Sequence, residues 1–422
     1  MPRTMPAGTV FSKAPSMRWF PVGLIALGAC AGQPRSASLV NPHAAEPIGS
    51  VREMYDGRLT PDLAAQTFRN IDRLFPSRVI ARGSVTSPLP TSPAPLTKVM
   101  CSSRSQVVSL DEYMRLNRVT GLLVLKNGRI ALERYALGTT ERTRSMSMSM
   151  AKSITSTLIG IAVREGKIRS LDDAVTLYVP ALKGSAYDGV TVRNVLMMAS
   201  GVRWNETYTD SSSDRRHLLE IQIAQKPGAA VALMAALPRA APPGSVFNYS
   251  TGETLVAGEI VRGAVGMSLS AYLSEKLWRP LDMESDATWW LDSPDGHEIG
   301  GSGITATLRD YGRFGLYFLH GGVIRGDSTL PANWVTDAGS PKTLTTGTRQ
   351  QYGYMWWPVV AASGSINDGA FAAQGIFGQS LYINPAQQVV IAEWSAQTAP
   401  TGGAVLESND CFGAMAAALV TR

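Results

Sequence analysis

The stretch SMAKSITSTLIGIAV, residues 149–163, decides how the rest of the chain is interpreted. Its apolar residues fall on nearly every side of a helix, so we predict a helix that is buried on most sides. Ser149 and Lys152 stand at the head of this helix with the spacing S-x-x-K, which occurs nowhere else in the chain. Residues at positions i and i+3 share one helix face, so the two side chains can touch.

This pair can support nucleophilic catalysis. A serine hydroxyl attacks poorly until a base removes its proton, and a lysine is such a base only when burial or another cation lowers its pKa. The apolar helix supplies the burial, and its N-terminus favours negative charge on the serine oxygen. The short motif is expected about once by chance in a chain of this size. The alternative is a serine N-cap beside a lysine that reaches solvent.

Two other segments could complete a catalytic site. PPGSVFNYSTG, residues 242–252, presents Tyr249 just before a predicted helix, and a phenol near an ammonium can shuttle protons. QGIFGQS, residues 374–380, leads into a predicted strand. Glycines there let a substrate approach the backbone, and free amides could form half of an oxyanion hole. Taken singly, Tyr249 could be a packed aromatic residue and the second segment a glycine turn.

The order of predicted elements indicates an α+β fold. Asn127-Gly128 between two apolar runs predicts a β-hairpin. Strands are also predicted at 380–384 and 389–394, and a last helix at 404–420. Strands near both chain ends enclose helical segments, which favours a central antiparallel sheet flanked by helices. We expect an all-helical lobe, at about residues 150–310, inserted into the sheet lobe.

The first thirty residues indicate export. Basic residues precede an apolar run at 19–29, which is too short to span a bilayer and is typical of a secretory signal. The run ends in Leu27-Gly28-Ala29-Cys30 and resembles the lipobox of bacterial lipoproteins. We therefore expect a lipoprotein-type signal at 1–30, a lipid on Cys30, a tether at 31–65 and a catalytic domain at 66–422, anchored in the periplasm. The alternatives are ordinary secretion without acylation or a buried apolar strand, and Met5 or Met17 could be the true start.

Composition excludes several classes of function. The 422 residues carry a net charge of +6, which falls to +3 without the three basic residues of 1–30. The chain has no run of five basic residues, so nucleic-acid binding is not expected. The four histidines are scattered, so we expect no metal site and no Ser-His-Asp triad. The sequence also lacks the G-x-S-x-G motif of α/β-hydrolases, and nothing indicates a cofactor.

Together, the three segments resemble the serine β-lactamase and penicillin-binding protein superfamily. The resemblance is greatest to class C-like hydrolases that include the 6-aminohexanoate-dimer hydrolases and related esterases. It covers nearly the whole chain after the signal and implies a β-lactamase-like fold. The further similar stretches are residues 69–78 (RNIDRLFPSR), 166–180 (GKIRSLDDAVTLYVP), 198–204 (MASGVRW), 286–289 (DATW) and 313–315 (RFG).

The resemblance also implies roles for individual residues. Ser149 matches the acyl-forming nucleophile, Lys152 its paired base and Tyr249 the tyrosine of a Y-x-N element. The oxyanion would lie between the backbone amides of Ser149 and Ile376. Tyr208 resembles a substrate-contacting tyrosine of the 6-aminohexanoate group, and Gly375 matches the glycine that ends K-T-G. The neutral Gln379 is also expected to contact substrate, because its amide suits a substrate held by hydrogen bonds.

The two remaining cysteines gain an interpretation from the same resemblance. It implies that the N-terminal and C-terminal segments of the domain pack together, and these segments contain Cys101 and Cys411. An exported protein can oxidise such a pair to a disulfide. The alternative is two buried free thiols.

Two departures from the family pattern narrow the expected substrate. Thr251 stands where enzymes that handle β-lactams have Asn, and Ala373-Gln374-Gly375 stands where they have Lys-Thr-Gly. The cation that binds a β-lactam carboxylate is therefore missing. We expect a serine hydrolase that cleaves small linear amides or esters through an acyl-enzyme. The alternatives are a D-Ala-D-Ala carboxypeptidase or weak β-lactamase, and a non-catalytic module of the same fold. The oligomeric state stays open.

Overall fold

The computed structural model describes residues 40–420. The predicted signal, Cys30 and the first part of the predicted tether lie outside these residues. The helices are α1 Val51–Tyr55, α2 Pro61–Phe68, α3 Leu110–Leu116, α4 Met150–Arg164, α5 Val192–Leu196, α6 Asp214–Ile223, α7 Ala229–Ala236, α8 Thr251–Val265, α9 Leu269–Leu273, α10 Leu308–Leu319, α11 Trp334–Gly339 and α12 Ser408–Val420. The strands are β1 Ser77–Ile80, β2 Met100–Ser103, β3 Gln106–Ser109, β4 Val119–Lys126, β5 Arg129–Tyr135, β6 Arg144–Met146, β7 Ala287–Trp290, β8 Ile304–Thr307, β9 Val323–Ile324, β10 Asp327–Ser328, β11 Lys342–Thr343, β12 Arg349–Gln350, β13 Trp357–Pro358, β14 Phe371–Gln374, β15 Ser380–Asn384 and β16 Val389–Ser395.

The largest sheet is antiparallel and has the strand order β13-β14-β15-β16-β4-β5. The β4–β5 hairpin turns through Asn127 and Gly128, with φ values of 50° and 73°. These positive φ angles are the reason why Asn-Gly predicts such a turn. The central antiparallel sheet built from both ends of the domain, and with it the α+β class, is confirmed.

Helices cover both faces of this sheet. Leu123 and Leu125 of β4 point to the core that contains α4 and α10. Leu122 and Val124 point to a second core with α12. This alternation is the period of two expected for a strand, and it explains why β4 is apolar at nearly every position.

A second sheet corrects the predicted extent of the helical lobe. Strands β7 and β8 lie within residues 150–310, and they join β1 and β6 in the order β1-β7-β8-β6. The helical part runs from α4 to α9 and ends in a π turn at Ser274–Trp278. The four residues of β7 are all buried. A short apolar run of this kind looks the same in a buried strand and in a buried helix.

The predicted tether at 31–65 is too long. Within it, α1 begins with a capping box formed by Ser50 and Glu53, and α2 begins with a Thr60 cap followed by Pro61. The buried side chains of Met54 and Tyr55 join a hydrophobic cluster that also contains Phe377. The capping box and the proline at the first helical position are recognisable in sequence. The folded domain therefore includes at least residues 50–65.

Cys101 on β2 and Cys411 on α12 lie side by side as buried free thiols. A hydrogen bond with Cys101, together with burial, raises the pKa of the Cys411 thiol. The predicted proximity of the two segments is thus present, and the disulfide itself stays a prediction. Within residues 40–420, no helix is long and apolar enough to cross a membrane.

Candidate active site

The helix α4 presents Ser149 at its N-terminal end. Ser149 is the N-cap residue, with φ −69° and ψ −6°, and its side chain makes no capping hydrogen bond. Its hydroxyl therefore stays free for other partners. The preceding Met148 has a φ of 42°, a left-handed conformation that is uncommon for a residue with a side chain. Every residue of α4 from Met150 to Ala162 is buried, as the apolar pattern predicts.

Lys152 lies beneath Ser149 and is 1% exposed. Its Nζ is 3.0 Å from the Ser149 Oγ, 3.1 Å from the Thr251 Oγ1 and 3.1 Å from the Gly301 carbonyl oxygen. Burial lowers the pKa of Lys152 to about 7, while the charge of Glu206 opposes this shift and that of Arg215 adds to it. A substantial fraction of the amine is therefore neutral near pH 7 and can accept a proton.

Tyr249 closes the other side of the nucleophile. Its ring centroid lies 5.2 Å from the Lys152 Nζ, and the ring packs against Tyr352 and Trp357 at centroid distances of 5.9 and 5.5 Å. Burial raises the pKa of the Tyr249 hydroxyl, although a hydrogen bond with Ser149 opposes the increase. Tyr249 therefore keeps its proton near neutral pH and can donate it.

The turn after β14 faces Ser149. Gly375 donates its N–H to the Gln379 carbonyl at 2.8 Å, and Gly378 has a φ of 90°. Among the described residues, neither the Ser149 amide nor the Ile376 amide has a hydrogen-bond acceptor. Free amides beside a nucleophile can stabilise an oxyanion. Ser149 and Ile376 line the same cavity, and the oxyanion hole that their amides would form stays a prediction.

A cavity of about 650 Å³ opens above these groups. The predicted residues Tyr208 and Gly375 line it, whereas Gln379 does not. The Gln379 side chain is buried, and its Oε1 accepts the Phe377 N–H at 3.2 Å. The predicted contact between Gln379 and substrate is therefore replaced by a role in holding the turn. The lining consists of Ser149, Glu206, Thr207, Tyr208, Thr209, Tyr249, Trp357, Gln374, Gly375, Ile376, Pro400 and Thr401.

One acidic residue of the site, Glu206, is not indicated by the sequence motifs. Its Oε1 accepts the Thr251 hydroxyl at 2.5 Å, and its Oε2 accepts the Thr251 N–H at 2.9 Å. The Trp204 indole N–H also donates to Oε2. Position is the only available signal, because Glu206 lies two residues before the predicted Tyr208. Its pairing with Thr251 depends on a fold that joins residues far apart in sequence.

Two further observations concern Lys342 and metal binding. Lys342 makes an ion pair with Asp337 and lies over the Tyr354 ring, and it does not line the cavity. Across the described part of the chain, no group of three His, Cys, Asp or Glu side chains is arranged to hold a metal ion.

Comparisons with known proteins agree with this geometry. A family model described as Beta-lactamase matches residues 111–408. The 6-aminohexanoate-dimer hydrolase of Paenarthrobacter ureafaciens is 28% identical over 350 residues, which cover 79% of this chain and 85% of that protein.

Two solved structures share the fold. A protein from Bacillus anthracis, provisionally named a 6-aminohexanoate-dimer hydrolase, aligns with a TM-score of 0.72 and 24% identity, covering 85% of this chain and 95% of its own. A family VIII carboxylesterase aligns with a TM-score of 0.53 and 16% identity, covering 72% and 92%.

Proposed function

The chain belongs to the beta-lactamase family, and on that premise we propose that Ser149 is the nucleophile of an enzyme for small linear amides or esters. Its family and its relatives make it a serine hydrolase acting on amides or esters. One observation carries the assignment of Ser149, namely the 3.0 Å contact between its Oγ and the Nζ of the buried Lys152. A buried lysine with a pKa of about 7 is suited to general-base catalysis.

The proposed reaction begins with transfer of the Ser149 hydroxyl proton to the Lys152 amine. The serine oxygen then bonds to the acyl carbon, and the new oxyanion accepts hydrogen bonds from the amides of Ser149 and Ile376. Collapse of this intermediate breaks the bond to the amine or alcohol, which leaves with a proton from Tyr249. Water then hydrolyses the acyl-enzyme by the reverse sequence of proton transfers.

The cavity lining supports a preference for linear substrates. It contains one carboxylate, Glu206, and neither a lysine nor an arginine. A fixed substrate carboxylate would therefore find no cation, whereas the aromatic walls at Tyr208 and Trp357 can contact an extended apolar chain. The relative from Paenarthrobacter ureafaciens is named a 6-aminohexanoate-dimer hydrolase. That dimer is the first substrate to test, because its free carboxylate lies at the end of a flexible chain and is not fixed beside the scissile bond.

Export and lipid anchoring form a separate part of the proposal. The basic start, the short apolar run and Leu27-Gly28-Ala29-Cys30 support processing before Cys30 and acylation of its thiol. The domain would then work in the periplasm, held at a bacterial membrane. Mass spectrometry of the mature N-terminus tests this part. An unmodified Cys30, or a mature chain that retains Trp19, would contradict it.

One panel of reagents tests the catalytic proposal. The purified protein is incubated with a fluorophosphonate, a labelled penicillin, p-nitrophenyl butyrate and the 6-aminohexanoate dimer, beside the Ser149→Ala variant. We expect fluorophosphonate labelling at Ser149, turnover of the ester or the linear amide, and neither in Ser149→Ala. Absence of labelling at Ser149 by every reagent would refute the catalytic role. Rapid penicillin turnover would instead favour the cell-wall enzymes and β-lactamases of the family.

A further inference from the structure

Three oxygen atoms surround the Lys152 amine, and their chemistry is unequal. A protonated lysine has three N–H donors, whereas a neutral lysine has two N–H donors and one lone pair. The Gly301 carbonyl can only accept a hydrogen bond. The Ser149 and Thr251 hydroxyls can each donate or accept, so their own partners decide which way each bond runs.

Glu206 decides the direction for Thr251. A carboxylate can only accept hydrogen bonds, and the Glu206 Oε1 lies 2.5 Å from the Thr251 Oγ1. The single hydroxyl proton of Thr251 therefore points to Glu206, and the Thr251 oxygen is left to accept an N–H from Lys152.

Glu206 is itself held in this orientation. Its Oε2 accepts the Thr251 N–H at 2.9 Å and also the Trp204 indole N–H, and both groups are donors only. Ser250 caps helix α8 by accepting the Glu253 N–H at 3.1 Å, which fixes the backbone next to Thr251. The carboxylate thus cannot rotate away without leaving two donors unpaired.

We propose that Glu206 is a positioning residue, which acts through the Thr251 hydroxyl to direct the lone pair of neutral Lys152 at Ser149. This inference rests on the proposed role of Ser149. The two N–H bonds of the neutral amine point to Gly301 and Thr251, so the lone pair is the only part of the amine left to face the Ser149 hydroxyl. The serine proton moves to Nζ as the serine oxygen bonds to the acyl carbon, and the resulting ammonium has three acceptors for its three N–H bonds.

The same arrangement gives a function to the departure at Thr251. An amide side chain at this position would offer N–H donors of its own. The threonine hydroxyl instead donates its one proton to Glu206, so its oxygen can only accept a hydrogen bond from Lys152. The charged groups that influence Lys152 are Glu206, from the loop after Trp204, and Arg215, from α6. The Tyr249 ring covers the remaining side.

The test compares Glu206→Gln, Thr251→Val and Thr251→Ser with the wild-type protein. The readout is the second-order rate of fluorophosphonate labelling at Ser149 between about pH 5 and pH 9, with kcat and KM for any ester that is turned over. In Glu206→Gln the new amide can donate to Thr251, whose own proton is then free to occupy the lysine lone pair. We expect Glu206→Gln and Thr251→Val to label about 100-fold more slowly, Thr251→Ser to stay within about threefold of wild type, and KM to change little.

The pH profile separates positioning from a merely structural role. Glu206 raises the pKa of Lys152, so loss of its charge should move the acid limb of the labelling profile to lower pH. Glu112→Gln removes one exposed carboxylate from α3 and should leave the limb unchanged. Thermal melting verifies folding, and if Glu206→Gln does not fold, Thr251→Val decides because it removes only the hydroxyl.

Each outcome has a distinct meaning. Wild-type rates and an unshifted acid limb in Glu206→Gln, or wild-type rates in Thr251→Val, would overturn the positioning role while labelling at Ser149 still supported the proposed function. Wild-type protein that does not label at Ser149 would overturn both.

Discussion

At the scale of single residues, the site depends on a lysine whose charge is unfavourable where it lies. Lys152 is surrounded by oxygen acceptors, yet burial still dominates and lowers its pKa to about 7. Catalysis benefits, because a base is most effective when its pKa is near the working pH. The free energy of unfolding is reduced, because the fold buries the Lys152 amine, whose charged form is better solvated in water.

We therefore expect Lys152→Met to be inactive and more stable than the wild-type protein at low pH. The pKa of Lys152 falls from 10.5 in the reference state to about 7 in the fold, so the unfolded chain binds more protons between these values. The wild-type free energy of unfolding then rises with pH from about 7 to about 10, and the penalty is complete below pH 7. Between about pH 6 and pH 9, the stability difference between the two proteins should shrink by about 3 kcal/mol.

Urea denaturation at the two pH values measures this change. Lys183→Met, at an exposed lysine, is the matched control for loss of one positive charge. A Lys152→Met advantage that stays constant across the pH range would show that Lys152 has no depressed pKa.

At the scale of elements, the turn at 375–379 must approach the nucleophile closely. A Cβ on Gly375 would lie 2.4 Å from the Gln379 Oε1 and 2.9 Å from the Ser147 carbonyl oxygen. The Ser147 oxygen belongs to the backbone, two residues before the nucleophile, so it cannot move aside as the end of a flexible side chain can. The turn therefore needs a glycine here to keep the Ile376 amide near Ser149.

We expect Gly375→Ala to reduce kcat by about 100-fold, the effect of losing one oxyanion donor, with a smaller change in KM. Steady-state ester hydrolysis measures both constants. Gly83→Ala is the control, because a Cβ at Gly83 would lie at ordinary contact distances, with 3.4 Å to the nearest atom. Activity of Gly375→Ala within twofold of wild type would exclude the proposed oxyanion hole.

Elements also show what sequence can and cannot predict. Helix α4 and the β4–β5 hairpin follow from local patterns, so the spacing of Ser149 and Lys152 on one helix face is enough to pair them. Strand β7 could not be predicted, because its four residues are all buried and show no alternation of apolar and polar residues. Glu206 is missed for a different reason, since its partner Thr251 is 45 residues away in sequence and meets it only in the folded structure. Gln379 does not line the cavity because it lies in the turn before β15, where its buried side chain folds back onto the Phe377 N–H, and no local pattern indicates that contact.

At the scale of the whole molecule, the segment that contains α1 and α2 belongs to the catalytic domain. Tyr55 of α1 lies beneath the site, with its ring 6.2 Å from that of Tyr208 and 4.5 Å from the Arg215 guanidinium. The hydrophobic cluster around α1 and α2 also contains Phe377, and Ile376 packs against it. Both residues belong to the turn at 375–379. Burying each large apolar side chain contributes roughly 1.5–3 kcal/mol, so loss of α1 and α2 should destabilise the domain.

Truncation tests this assignment. A protein that begins at residue 41 should melt and hydrolyse ester like one that begins at residue 31, because the described packing is retained. A protein that begins at residue 66 loses α1 and most of α2, and we expect it to be unstable and inactive. Thermal melting and ester hydrolysis of the three proteins give the comparison. Full stability and activity of residues 66–422 would show that residues 31–65 act as a tether after all.

The pairing of β4 with β16 also has a consequence in time. Val124 lies opposite Ile391. Strand β4 is therefore synthesised well before β16, and the two can pair only after β16 has been made. Contacts between such distant segments fold slowly. Ser149 emerges from synthesis on the order of tens of seconds before Ile376 does, so the second donor of the proposed oxyanion hole is made long after the nucleophile. A partly synthesised chain lacks half of the proposed oxyanion hole, so we expect hydrolysis to begin only when the last strands have joined the sheet.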